Sequence, residues 1–139
     1  MNNDNSEIQL PDYVLVNPQL TDDPVFRQGQ IGVITAAILN TDEFIVGFDD
    51  AQVGLYSANA LLLLKQPEDI YEYMYENASR LSLDEFKDLK NVAVLLDDGT
   101  KPNMRIAMEL VQKNENILGA ATTGLDEFIG LNQSKGLKR

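Results

Sequence analysis

The sequence predicts an α+β chain: a small, strongly bent antiparallel β-barrel at 25–66, followed by three to four helices over 67–131 packed against it. Two observations lead to this. Between Gly29 and Leu64 short apolar runs alternate with turn residues, which is the spacing of short strands. From Pro67 onward the apolar residues recur every three to four positions, which is the spacing of helices.

The elements follow in order. Residues 1–24 form a polar lead-in, within which Tyr13-Val14-Leu15-Val16 is either an added edge strand or a segment tucked against the core. Thr21-Asp22-Asp23-Pro24 is a turn, since Asp bonds locally and the residue before Pro avoids the helical region. Gly29-Gln30-Ile31-Gly32-Val33-Ile34 begins the strands, with its glycines placed for a tight turn and then a bulge or close backbone approach. Glu43 to Phe48 sets Phe44, Val46 and Phe48 on one face. Asp49 to Gln52 turns the chain, Val53 to Ser57 is a third strand, and Ser57 to Ala60 is one helical turn before Leu61 to Leu64. Strands this few and this short suit a small bent barrel better than a sandwich.

Pro67-Glu68-Asp69 opens the first helix, because Pro fits the first turn and acids favour the N-terminus. Ile70, Met74, Ala78 and Leu81 continue it. Ser82-Leu83-Asp84-Glu85 matches a capping box, followed by the stripe Leu83, Phe86, Leu89, Ala93 and Leu96. The unbroken stripe favours helix through Asp97-Asp98-Gly99, although Asp-Gly is also a hairpin signal. Thr100-Lys101-Pro102 starts a third helix carrying Ile106, Ala107, Leu110 and Val111. Ile117 to Leu131 reads as a last helix interrupted by Gly and Thr, and 132–139 as a frayed tail.

Composition narrows the chemistry. The 139 residues are 44% hydrophobic and 24% charged, enough to build a core. There is no cysteine and no histidine, so disulfides, Cys/His metal sites and His-based triads are excluded within the chain. Acid–base catalysis would fall to a perturbed Asp, Glu, Lys or Tyr. The longest apolar run, Ala60 to Leu64, is far short of a membrane span, and the polar, acidic N-terminus shows no signal peptide. The expectation is a cytoplasmic protein without a cofactor.

Charge is unevenly spread. Residues 1–64 carry nine acids against the single base Arg27, a balance of −8 within a total of −11. Phosphate backbones are bound by Lys and Arg, so the front half argues against nucleic acid and against an anionic membrane surface. A basic protein surface fits better, while acidity by itself serves solubility.

Asp42-Glu43, Asp49-Asp50 and Asp97-Asp98 are paired carboxylates that read as solvated turns. A weak divalent site at Asp49/Asp50 is the alternative, though the alternating oxygen ligands of a calcium loop are missing. Gly29-x-x-Gly32 lacks the Lys-Ser/Thr of a phosphate cradle. Tyr56, Tyr71 and Tyr75 are the candidate partner contacts. Tyr71 and Tyr75 lie four apart on one helix face, and Tyr suits surfaces that are half apolar and half wet. Packing between barrel and helices is the competing role for them.

The order Gly29-x-x-Gly32-x-Ile34, Phe44 to Asp50, Gly54-Leu55-Tyr56 and Ala60-Leu61 resembles small Src-homology-three-like barrels of the KOW and Tudor-like kind. The resemblance covers about forty residues at 25–66. It implies a binding module rather than a catalyst and carries over no ligand. The basic loops with which KOW modules touch nucleic acid are missing, and an aromatic cage would have only Phe44, Phe48 and Tyr56. The leading expectation is a non-enzymatic protein-interaction or accessory module. The alternatives are a nucleic-acid-associated factor, or a carboxylate- or Lys-based enzyme in a barrel–helix cleft.

Overall fold

The computed structural model describes residues 10–21, 23 and 26–130. They form strands β1 (Tyr13–Val16), β2 (Ile31–Ile38), β3 (Glu43–Gly47), β4 (Val53–Tyr56), β5 (Leu61–Leu64) and β6 (Thr122–Gly124). The helices are α1 (Pro67–Glu76), α2 (Leu83–Asp98), α3 (Lys101–Gln112) and α4 (Glu115–Ala121), and residues 125–130 are also helical. Short 3-10 turns occupy Leu39–Thr41 and Ala58–Ala60. The frayed tail expected at 132–139 and the first residues of the lead-in lie outside the described residues.

The strands make one six-stranded sheet in the order β4-β3-β2-β1-β5-β6. The pairs β4–β3, β3–β2, β2–β1 and β1–β5 are antiparallel. The sheet is open, with β4 at one end and β6 at the other. This overturns the barrel expected over 25–66, and with it the likeness to Src-homology-three-like modules. The reason is in the pairing. Closure requires the two end strands to meet, and here β1 separates β2 from β5 while β6 occupies the far side of β5. Strand-and-turn spacing sets the hairpins but leaves the edges unassigned.

The chain divides into two compact units, Met1–Leu63 with Gly124–Arg139, and Leu64–Thr123. In the first, alternation along the strands gathers Val14, Val16, Phe44, Val46, Tyr56 and Leu61 into a core that also takes Leu125 and Ile129. Gly32 sits on this core face because a Cβ there would collide with Val46 and press on Phe48. Beyond it Thr35 is an extra residue in β2, a bulge between the Ile34 and Ala36 pairings, and its hydroxyl donates to the Ile45 carbonyl at 3.2 Å.

In the second unit Ile70, Met74, Leu89, Val92, Ala107, Val111 and Ile117 make the core. Helix α1 stops at Glu76, short of Ala78 and Leu81, with Asn77 as its C-cap: the Asn77 backbone N–H makes the helical bond to the Tyr73 carbonyl (3.0 Å), and its side-chain amide donates to the same carbonyl (2.9 Å). The capping box forms at α2: Ser82 N donates to Glu85 at 2.9 Å, and Glu85 N to the Ser82 hydroxyl at 3.1 Å. Helix α2 runs through Asp98 and ends at Gly99 in the left-handed region, so Asp-Gly terminates a helix here. Leu83 and Phe86 stay exposed, since the buried face of α2 begins at Leu89. The last helical reading is split, because the β-branched pair Thr122-Thr123 extends the backbone into β6.

Candidate functional site

The hairpin joining β3 to β4 is built on Phe48-Asp49-Asp50-Ala51-Gln52. Ala51 N donates to the Phe48 carbonyl at 3.0 Å, and Phe48 N donates to the Gln52 carbonyl at 2.9 Å. Ala51 adopts a positive φ of 71°, the place where such three-residue hairpin loops favour glycine. Asp50 accepts from Gln52 N at 3.2 Å, which closes the turn on its own side chain.

Arg27 locks onto this turn. Its guanidinium donates to Asp50 at 2.6 Å, to Gln52 at 3.0 Å and to Gln30 at 3.0 Å, and lies 5.1 Å from the centre of the Phe48 ring. The hydrogen bond from Arg27 holds the Asp50 carboxyl below the usual carboxylate range, with the Gln52 amide adding to the effect. Behind it Asp23, only 3% exposed, accepts from the Tyr56 hydroxyl at 2.9 Å and from Arg27 N at 2.9 Å. Burial first, and then the hydrogen bond to Asp23, push the Tyr56 hydroxyl above the ordinary phenol range. This network ties Asp23, Arg27 and Gln30 to the β3–β4 hairpin. Next to it, Phe26 is exposed and also has a positive φ, of 56°.

The acidic pairs have local roles. Asp42, in the left-handed region, accepts from Ala58 N at 2.9 Å. Asp97 accepts from the Tyr71 hydroxyl at 3.3 Å, and Asp98 from Asn103 at 2.7 Å. Among the described residues no three acidic side chains are grouped so as to hold a metal ion.

Of the tyrosines singled out in the sequence, Tyr56 is 5% exposed in the first core, its ring edge-on to Phe48 with centroids 6.5 Å apart. Tyr71 and Tyr75 are exposed on α1, in the second unit. The three therefore do not belong to one unit.

What the tyrosines did not indicate is the outer face of β2, β3 and β4. Gly54 and Tyr56 of β4 point into the core, so Val53 and Leu55 point out, at 57% and 58% exposed. Val53 pairs with Gly47 and Leu55 with Ile45; Gly47 pairs onward with Val33, and Ile45 with Ala36. Ile38, also exposed, ends the same face. The signal was present in the alternation of Val53 to Tyr56, but alternation does not say which parity is buried. Glycine at position 54 makes room for the Tyr56 ring, which a Cβ would strike, and that settles the parity.

No protein-family model, no curated protein and no solved structure matches this chain. No helix among the described residues is long and apolar enough to cross a membrane.

Proposed function

We propose that the protein is a non-enzymatic interaction module that docks a partner protein on the outer face of β2, β3 and β4. The observation that carries this is the exposure of Val53 and Leu55, on a strand whose other two side-chain positions are buried. Exposed apolar side chains scattered singly are ordinary, but a run of them across paired strands marks a contact surface. Chemistry supports a binder as well, since the chain has neither histidine nor cysteine. Charge favours a protein over a phosphate backbone: Arg27 is the one base in residues 1–64, and Asp50 already holds it. A cytoplasmic setting is part of the same proposal.

The test is affinity capture from the native extract with the wild type and with an Ile38→Ser/Leu55→Ser variant matched by circular dichroism. A partner retained by the wild type and reduced about tenfold or more by the variant supports docking on this face. An identical set of captured proteins would remove it.

A further inference from the structure

We infer that the partner engages this region through an extended segment, apolar at alternate positions and basic at its ends, which adds to the sheet as a strand beside β4 and continues its outer face next to Val53 and Leu55. The inference rests on the docking role proposed above and specifies its partner.

The first ground is the edge itself. Strand β4 is the end of the sheet and pairs with β3 on one side alone. The Phe48–Gln52 hydrogen bond sets the ladder's phase, and bonded and non-bonded pairs then alternate along an antiparallel pair. Gly47–Val53 and Ile45–Leu55 are the non-bonded pairs, so the N–H and C=O groups of Val53 and Leu55 point away from β3. No strand among the described residues meets them. Sheet edges are commonly blunted with Lys, Pro or a bulge. Val53-Gly54-Leu55-Tyr56 contains no Lys or Pro, and its pairing with β3 is regular. An incoming strand would gain main-chain hydrogen bonds from Val53 and Leu55 and could lay alternate side chains beside theirs.

Charge supplies the second ground and distinguishes a foreign segment from a second copy. Asp49 and Asp50 lie just before β4, and Asp42 and Glu43 lie at the end of β3 that pairs with the close of β4. Both ends of the edge therefore keep a negative balance, smaller at the Asp49/Asp50 end, where Arg27 offsets Asp50. If two copies paired β4 to β4 in antiparallel fashion, the Asp49/Asp50 end of one would approach the Asp42/Glu43 end of the other. Arg27, the one base of residues 1–64, is already bonded to Asp50. Like charges would face each other at both ends, whereas Lys or Arg flanking a foreign strand would meet opposite charge.

The test uses the full chain and synthetic peptides of about eight residues, a common strand length, alternating Val and Thr with Lys at both ends or Glu at both ends. Amide shifts in nuclear magnetic resonance spectra are followed on titration, with sedimentation run in parallel. The Lys-ended peptide is expected to shift Val53 and Leu55 saturably, and the Glu-ended peptide to bind about tenfold or more weakly. Val53→Pro removes an outward N–H and no ladder bond, so it should keep the sheet's spectrum and lose about tenfold in peptide binding. Should that variant disturb the sheet, Leu55→Lys, which charges the same edge, serves in its place. Absent binding, equal binding of both peptides, or equal binding by the edge variant overturns strand addition. So does a wild-type dimer that the edge variant dissociates, because the occupant would then be a second copy. A partner captured from extract that is lost with Ile38→Ser/Leu55→Ser yet kept with Val53→Pro also overturns it, while leaving the docking face intact.

Discussion

At the scale of single residues, three side chains show how the first unit holds its hairpin. Ala51 has a left-handed backbone, which costs an L-residue about 1–2 kcal/mol and glycine little. Ala51→Gly should therefore raise stability by about 0.5–1 kcal/mol after glycine's extra unfolded entropy, read as a shifted urea midpoint. Tyr56→Phe should do the reverse. It strips the buried Asp23 carboxylate of a donor and should cost about 1–3 kcal/mol in the same measurement. Asp50 has a depressed carboxyl, so its pair with Arg27 contributes stability that is complete above the ordinary value of 3.8 and fades as pH falls through the lower folded value. Acid unfolding followed by circular dichroism should accordingly lose part of its pH dependence below 3.8 in Asp50→Asn.

At the scale of elements, ends and edges matter more than middles. The capping box of α2 satisfies two backbone donors that the helix leaves unpaired. Ser82→Ala should lower stability by about 1 kcal/mol, with hydrogen exchange speeding first at Glu85, whose amide donates to that hydroxyl. Strand β4 presents the complementary case, an end left open rather than closed. Its inner residues belong to the core, while its outer residues and one row of its backbone groups remain available. The elements themselves were largely legible in the sequence. Phe44, Val46 and Phe48 are buried on one face as period two required. Ser82, Gly99 and Thr100 start and stop helices where their chemistry says they should. Less legible was the stretch after Glu115, where an apolar pattern of helical spacing hides a turn into β6. Ile117, Ala120 and Ala121 serve the second core, and Leu125 and Ile129 the first.

For the whole molecule, net charge outweighs any single ion pair, at −11 over 139 residues. Self-repulsion of that size opposes compaction and is screened by salt. The thermal midpoint should rise by about 2–5 °C between low salt and about 0.3 M sodium chloride; a fall would mean that attractive pairs such as Arg27–Asp50 outweigh the repulsion. Local structure, the acidic front half and the absence of His and Cys chemistry follow from the order of the residues alone, because periodicity, capping and charge are properties of neighbours along the chain. Whether the sheet closes, which parity of β4 is buried and which strand is left at the edge were decided by tertiary structure. Those outcomes depend on Tyr13–Val16 lying between β2 and β5, on Thr122–Gly124 occupying the far side of β5, and on the Tyr56 ring fitting over Gly54. Pairing between distant segments leaves no local pattern, so an alternating strand reads the same whether its partner is its own sheet or another protein.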